Sequence, residues 1–142
     1  MSGICTFIGH KDCPEDIIPL LYSRIEDLIL NGVDIFYVGT HGRFDYYAYK
    51  QLIELEKKYD IKFKVVLSCL EGVKGYIDIE RTVYPEEIAN AMRKFSILKR
   101  NEYMIKKSTH LICYINNSFS NSYRFYELAL KNKLEVINIG KL

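Results

Sequence analysis

Two kinds of segment alternate along the chain, and the spacing of their apolar residues distinguishes them. Short, nearly continuous apolar runs rich in β-branched and aromatic residues predict strands over 4–9, 35–38, 61–70, 110–115 and 134–139. Between these runs, apolar residues recur at helical spacing, which predicts helices over about 14–30, 45–59, 85–107 and 123–132. The third of these helices is expected in one or two pieces.

Strands that alternate with helices form parallel sheets covered on both faces. We therefore expect an α/β fold, a single three-layer domain over residues 1–142 with a mostly parallel sheet of about five strands. The segment 71–84 contains Gly72 and Gly75 and shows no clear apolar period. Its length and its glycines suggest a mobile lid.

The composition limits the classes of protein that the chain can represent. With 142 residues, 49% of them hydrophobic, the chain can bury a normal core and differs from a disordered protein. A net charge of +2 argues against nucleic acid as the main partner, because neutralising phosphates needs a dense basic face. No apolar run approaches the roughly 18 residues of a membrane helix, and the first residues lack the basic start of a signal peptide. We expect a cytoplasmic protein with no membrane partner.

The four cysteines and three histidines do not form a metal-binding pattern. No cysteine pair has the spacing of a zinc site and the histidines do not complete one, so we expect no metal, and no resident cofactor. Three cysteines lie in predicted strands and are expected to be buried free thiols: Cys5, Cys69 and Cys113. Cys13 lies in a predicted loop, where exposure is possible.

The chain contains 12 tyrosines and no tryptophan. Tyrosine has an apolar ring and a polar hydroxyl, so it suits a core as well as a surface on which a ligand stacks. Helical spacing predicts Tyr47 and Tyr126 in the core, whereas Tyr46 and Tyr123 lie beside polar turns and are candidates for ligand stacking. Because tyrosine is enriched at interfaces, the surplus also favours a homo-oligomer.

Polar turns follow several predicted strands, and ligands of open α/β sheets bind beyond the carboxyl ends of the strands. The first turn is Gly9-His10-Lys11. Here the glycine would allow close approach of a ligand, His10 would donate to phosphate or sugar, and Lys11 would supply charge. An ordinary turn with a solvated lysine is the alternative.

The second turn leads from the second strand into a helix, and helix N-termini attract anions. Its candidate ligand-binding residues are Gly39, Thr40, Gly42, Phe44 and Asp45. The spacing is neither that of a dinucleotide-binding Gly-x-Gly-x-x-Gly motif nor that of a P-loop. Two alternatives stay open, because Asp45 also suits a helix cap and Phe44 also suits the core.

Two further candidate segments flank the fourth predicted strand. Arg100 and Asn101 precede it in a helical stretch, where an arginine either binds a ligand or is solvated. The turn after this strand supplies hydroxyls and amides that suit a phosphate or a ribose: Asn116, Asn117, Ser118, Ser120 and Ser122. The same turn is also compatible with a polar loop in which Ser120 or Asn121 caps the next helix.

Four segments together resemble one known family: Gly9-His10-Lys11, Gly39-x-x-Gly42-x-Phe44-Asp45, Arg100-Asn101-x-Tyr103-Met104 and Val136-Ile137-Asn138-Ile139. Their order and spacing are similar to those of the YpsA-like branch of the SLOG superfamily, over essentially the whole chain. The resemblance implies a Rossmann-like fold and a pocket for nucleotides or nucleotide-derived ligands. The chain departs from this branch at Lys11, where arginine is usual, and after the fourth strand, where many relatives have glycines.

Three functions follow from these observations. The first is binding of a nucleotide or nucleotide-derived small ligand at the carboxyl ends of the strands, as a sensor or regulatory module. The second is an N-glycosidase like the Lonely Guy phosphoribohydrolases of this superfamily, in which Arg100 holds phosphate and Asp45 or Glu127 assists. The chain lacks their Pro-Gly-Gly-x-Gly-Thr-x-x-Glu motif, which favours the first function. The third is an oligomeric scaffold or regulatory partner protein.

Overall fold

A computed structural model describes residues 3–141, and a six-stranded sheet runs through its centre. The strands are β1 (Gly3–Gly9), β2 (Val33–Val38), β3 (Lys62–Val66), β4 (Thr82–Val83), β5 (His110–Tyr114) and β6 (Glu135–Asn138). The helices are α1 (Ile18–Leu30), α2 (Gly42–Glu56), α3 (Glu86–Ala89), α4 (Ser96–Lys107) and α5 (Asn121–Lys131). Within residues 3–141, none of them combines the length and the apolar character needed to cross a membrane.

All neighbouring strands are parallel, in the order β4-β3-β2-β1-β5-β6. The chain builds the sheet outward from β1 to β4 and then crosses back to place β5 on the other side of β1. The strand order thus reverses at the β1–β5 pair, which ends where Gly9 is paired with Tyr114. Such a reversal opens a crevice at the carboxyl ends of the two strands. The predicted α/β fold is confirmed, with six strands instead of about five.

Two apolar layers cover the sheet, one on each face. On one face Phe7 packs with residues of α1 and α2 such as Leu21. On the other face Ile8 packs with Met104 of α4 and Phe125 of α5. Phe7 and Ile8 are consecutive and belong to opposite layers, because side chains alternate along a strand. Burial on both faces explains why the strand segments are apolar at nearly every position.

The β3–β4 side of the sheet departs from the prediction. Strand β3 ends at Val66 rather than Leu70, because β4 offers only Thr82 and Val83 for pairing. The backbone leaves the sheet after the Leu67 N–H donates a last hydrogen bond to the Val83 carbonyl (2.9 Å). Strand β4 lies in the 71–84 segment, where the apolar pattern predicts no strand.

Two helices begin earlier than the apolar pattern predicts. Helix α2 begins at Gly42 instead of Asp45, and α5 begins at Asn121 instead of Tyr123. The residues that begin each helix, Gly42-Arg43 and Asn121-Ser122, are not apolar, so they show no helical period in the sequence. The predicted helix over 85–107 is in two pieces, α3 and α4, joined through a 3-10 turn.

The cysteines are buried differently from the prediction at two positions. Cys5 and Cys113 are fully buried free thiols, as expected, and burial raises the pKa of each. Cys13 is also fully buried, because the loop that carries it packs into the layer under α1 and α2. Cys69 is only half-buried, since it follows the end of β3 instead of lying within the strand.

The tyrosines mostly cover the margins of the two apolar layers. Eleven of the 12, all within residues 3–141, pack against one layer or the other: Tyr22, Tyr37, Tyr47, Tyr49, Tyr59, Tyr76, Tyr84, Tyr103, Tyr114, Tyr123 and Tyr126. Tyr47 and Tyr126 therefore lie against the core, as predicted. Tyr123 belongs with them, and its ring packs against that of Tyr126 at 5.5 Å between centroids. Tyr46 alone is exposed, at 37%.

The segment 71–84 is attached to α2 by polar contacts. The Asp78 N–H donates to the Tyr49 hydroxyl (2.9 Å). Arg81 forms an ion pair with Glu56, and its Nη1 donates to Glu56 Oε2 (2.9 Å). These contacts hold the later part of the segment, at Asp78 and Arg81, against α2, and the lid stays a prediction.

The start of α2 is pressed against the turn after β1. The Arg43 N–H donates to the Lys11 carbonyl (3.0 Å), and Gly42 has a φ of +89°. A Cβ added at Gly42 would lie 2.4 Å from the Cα of Lys11 and 2.3 Å from its Cβ. The left-handed backbone and the close approach of Lys11 each require glycine at this position.

We predict that Gly42→Ala destabilises the fold by more than about 2 kcal/mol, because it combines left-handed strain with an overlap against Lys11. Gly72→Ala is the matched control, since Gly72 also has a positive φ (+69°) but nothing lies within 4 Å of its added Cβ. This control should lose only about 1–2 kcal/mol from strain. Urea unfolding measures both free energies, and equal losses would contradict crowding at Gly42.

Candidate ligand-binding site

Two connected cavities open where the carboxyl ends of β1 and β5 separate. One has a volume of about 320 Å³ and reaches α4 at Ile97 and Arg100. The other has a volume of about 570 Å³ and extends along the β1 turn at His10 and Lys11. We call the two together the cleft, because they share the wall residues Gly9, His41, Asn121 and Ser122.

A buried arginine lies in the wall of the cleft. Arg100 is 1% exposed. Its Nε donates to Asn101 Oδ1 (3.0 Å), and its Nη1 donates to Thr40 Oγ1 (3.1 Å). Among residues 3–141, its Nη2 meets no hydrogen-bond acceptor. Because the guanidinium is almost fully withdrawn from water, Arg100 is a group that a ligand acceptor at the cleft would stabilise.

The carboxylate of Asp45 lies in the same wall. Asp45 is 6% exposed, and its Oδ2 accepts the N–H of His41, the residue before the first turn of α2. Asp45 thus supports the start of the helix without being its N-cap residue. Burial raises the pKa of Asp45 to about 6, and the positive charge of Arg100 offsets this only in part. A carboxyl group that titrates near neutral pH in a cleft suits proton transfer.

Gly39 allows Asp45 and Arg100 to approach the end of β2 together. A Cβ added at Gly39 would lie 2.8 Å from Asp45 Oδ2 and 2.9 Å from Arg100 Cζ. Any side chain at this position would displace one of the two charged groups. Gly39 and Thr40 therefore do not line the cleft themselves. They contact Arg100 and so help to position its side chain.

The N-terminus of α5 forms another part of the wall. Ser120 caps the helix, because its Oγ accepts the Tyr123 N–H (3.3 Å). The Ser122 hydroxyl donates to the Gly9 carbonyl (3.3 Å) and ties α5 to the end of β1. The first backbone N–H groups of a helix have no acceptor within it. Since Asn121 and Ser122 line the cleft, this helix end favours an anion there.

His10 connects two of the turns that surround the cleft. Its Nε2 accepts the Asn116 N–H (3.1 Å), and its ring packs edge-on against Tyr114 at 5.8 Å between centroids. Because Nε2 is the acceptor, the proton of the neutral ring resides on Nδ1. His10 holds the β1 turn against the β5 turn and also lines the cleft.

Eight of the sequence-predicted site residues line the cleft together: Gly9, His10, Lys11, Asp45, Arg100, Asn101, Ser120 and Ser122. Phe44 does not, because it is fully buried and occupies the space that Gly9 leaves free. A Cβ at Gly9 would lie 2.4 Å from the Phe44 ring. Gly9 is therefore needed for the packing of a core residue, and its role in the approach of a ligand stays a prediction.

Four other predicted residues lie outside the cleft. Asn116, Asn117 and Ser118 are exposed in the turn that precedes α5, because this helix begins only at Asn121. Glu127 is exposed further along α5, away from the cleft walls. The sequence analysis expected all four at the site.

The cleft also contains residues that the sequence analysis missed as ligand contacts: Phe7, Ile8, Asp12, His41, Arg43, Ile97, Leu98, Asn121 and Arg124. Placing the start of α5 at Asn121 would have identified Asn121 and Arg124, which share its first turn with Ser122. Four cationic side chains, Lys11, Arg43, Arg100 and Arg124, line the cleft with two carboxylates, Asp12 and Asp45. The excess of positive charge favours an anionic ligand.

The chain is similar to known proteins in its three-dimensional structure but not in its sequence. No protein-family model and no curated protein sequence matches it. The molybdenum cofactor carrier protein of Chlamydomonas reinhardtii superposes with a TM-score of 0.66 at 16% identity, over 99% of this chain and 78% of that one. DNA processing protein A (DprA) of Streptococcus pneumoniae superposes with a TM-score of 0.73 at 15% identity, over 96% of this chain and 50% of that one. At this low identity the likeness shows the fold alone, and it agrees with the Rossmann-like α/β fold that the sequence resemblance implies.

We predict that Asp45 makes the fold less stable as the pH rises from about 4 to about 6. The folded carboxyl has a pKa of about 6 against 3.8 for the ordinary group, so the folded state binds more protons between these values. Relative to Asp45→Asn, which does not titrate, the wild type should lose about 2 kcal/mol of stability between pH 4 and pH 6. Urea unfolding of both proteins at several pH values measures the difference, and a difference independent of pH would contradict the raised pKa.

Proposed function

We propose that the protein binds a nucleotide or a nucleotide-derived small ligand in the cleft, as a sensor or regulatory module. The observation that carries the proposal is Arg100, which is buried in the cleft wall with an Nη2 that no described residue uses. A guanidinium presents paired donors that match the oxygens of a phosphate. A ligand phosphate at Nη2 would restore hydrogen bonds that Arg100 lost on burial.

The remaining walls supply what a nucleotide needs besides its phosphate. The N-terminus of α5 offers backbone donors to an anion, and Asn101 and Ser122 offer side-chain groups to sugar hydroxyls. Ile97 and Leu98 line the same cavity and offer apolar surface to a base. A few local cations suffice for such a ligand, which is compatible with a chain whose net charge is only +2.

The two similar structures support a ligand-binding role for this fold without specifying the ligand. One is named as a carrier of a molybdenum cofactor and the other as a DNA processing protein. This chain spans only half of the second protein, so activities of that whole protein do not transfer to it.

We predict that mononucleotides, cyclic nucleotides or ADP-ribose raise the melting temperature of the protein, because a ligand that binds only the folded state stabilises it. A thermal-shift screen measures this. With adenosine monophosphate as the probe, Arg100→Lys should lower the affinity about 10–100-fold, because one ammonium does not replace the guanidinium fork.

Arg24→Lys is the matched control for this substitution. Arg24 pairs with Asp27 on the surface of α1, outside the cleft, so its replacement should leave the affinity at the wild-type value. Isothermal titration calorimetry compares the three proteins. The proposal fails if no compound in the screen shifts the melting temperature, or if Arg100→Lys binds adenosine monophosphate as the wild type does.

A second candidate function is hydrolysis of the N-glycosidic bond of a nucleoside monophosphate, and the raised pKa of Asp45 favours it. Such cleavage passes through an oxocarbenium-like sugar, and a carboxyl group assists by proton transfer or by charge. Of the two carboxylates considered from the sequence, only Asp45 lines the cleft, whereas Glu127 is exposed outside it. Water would add to the sugar carbon as the free base leaves.

If this second function holds, incubation with adenosine monophosphate should release adenine and ribose 5-phosphate. Asp45→Asn should slow the release at least about 100-fold, because an amide neither donates nor accepts the proton. Chromatography of the free base measures the rate. A wild-type protein that binds the nucleotide and releases no base would rule out the hydrolase while leaving the binding function intact.

A homo-oligomer and a cytoplasmic location stay predictions. The tyrosines that motivated the oligomer are an unsuitable interface, since eleven of them pack within the subunit. The exposed apolar surface is instead formed by residues such as Phe119, at 97% exposure, and Ile79, at 74%. Light scattering would report the assembly state directly.

A further inference from the structure

A third cavity, of about 300 Å³, adjoins the cleft on the α2 side. Its wall residues are Lys11, Gly42, Arg43, Tyr46, Lys74 and Tyr76. Lys11 and Arg43 also line the cleft, so the two spaces border the same two cationic side chains. We call this cavity the tyrosine pocket.

Tyr46 is the unusual member of the tyrosine pocket. It is the one exposed tyrosine, at 37%, and its ring centroid lies 5.9 Å from that of Tyr47. Its ring meets the Tyr76 ring edge to face, at 4.8 Å between centroids and an interplanar angle of 81°. An exposed aromatic ring beside a cavity is a surface on which another ring can stack.

Contacts with α2 hold the pair of Tyr46 and Tyr76 in place. The Tyr76 ring packs at 5.3 Å against Tyr49, which is buried in α2. The Tyr49 hydroxyl in turn accepts the Asp78 N–H, which fixes the chain just after Tyr76. Tyr46 therefore has a defined partner within the chain, and pre-organisation of this kind lowers the entropic cost of binding.

The charge around the pocket has one sign. Three cationic side chains, Lys11, Arg43 and Lys74, line it, and its wall residues include no carboxylate. Aromatic rings next to cations form the combination that binds a base together with its phosphate.

We infer that the tyrosine pocket is a second subsite, which takes the base of a second nucleotide unit in a ligand whose first phosphate lies at Arg100. The inference rests on the proposed function of the cleft and narrows its ligand class to two linked nucleotide units. The second base stacks on Tyr46, and the linking phosphate lies at Lys11 and Arg43, the two cations common to both spaces. A free dinucleotide and the end of a single strand share this chemistry.

The experiment compares 5′-phosphorylated diadenylate with adenosine monophosphate by isothermal titration calorimetry on the full chain. The wild type should bind the dinucleotide at least about tenfold more tightly, because an additional base stacks and an additional phosphate meets cations. Tyr46→Ala should abolish this preference, and Tyr46→Phe should keep it, since stacking needs the ring and not the hydroxyl. Thermal unfolding without ligand verifies that both variants are folded.

The outcomes separate the subsite from the cleft. If adenosine monophosphate binds in an Arg100-dependent way but the dinucleotide preference is absent, or survives in Tyr46→Ala, the tyrosine pocket is not a subsite and the proposed function stands. If neither compound binds the wild type, both proposals fail. A 5′-phosphorylated ten-nucleotide strand serves as a further probe. If it binds at least as tightly as the dinucleotide and depends on Tyr46 in the same way, the ligand is the end of a single strand rather than a free dinucleotide.

Discussion

The burial of Arg100 at the ends of β1 and β2 is the constraint on which the candidate site depends. Arg100 is 1% exposed, so its guanidinium has lost nearly all its hydrogen bonds to water. Hydrogen bonds to Thr40 and Asn101 replace only some of them. The nearby charge of Asp45 compensates further, and Gly39 makes that proximity possible. Burial nevertheless raises the pKa of Asp45 and lowers the pKa of Arg100, so neither charge is fully compensated within the chain. A site with uncompensated buried charge is organised for a ligand at some cost in stability.

The three turns around this pair are held by contacts between distant parts of the chain. His10 accepts from Asn116, the Lys11 carbonyl accepts from Arg43, and Ser122 donates to Gly9. Each contact joins the end of β1 to the segment after β2 or after β5. Because β1 is the strand at which the sheet order reverses, these contacts close the cleft from both sides. The walls of the cleft are therefore held by contacts within the chain itself, and the strand order that creates the cleft also determines its walls.

Several site residues were predictable because they lie directly after a strand or show a strong local pattern. Lys11 and Asp45 belong to polar turns after apolar runs, and Arg100 lies in a segment similar to a known family. Arg124 was missed because the first turn of α5 has no apolar period to reveal it, and Asn117 was included for the same reason. Phe44 illustrates another limit: its sequence position suits both a ligand and the core, and only the contact with Gly9 decides.

The sequence by itself determined the α/β class, the parallel sheet and the positions of most strands, because burial on both faces requires apolar residues at nearly every strand position. It also determined which segments meet near the carboxyl ends of strands. The tertiary structure alone decided which of those side chains share a cavity, since this depends on strand order and on helix starts that carry no apolar signal. It likewise assigned the tyrosine surplus, placing eleven rings against the core and leaving Tyr46 beside the cleft. The sequence gives the number of tyrosines, but their exposure depends on how the helices and strands pack.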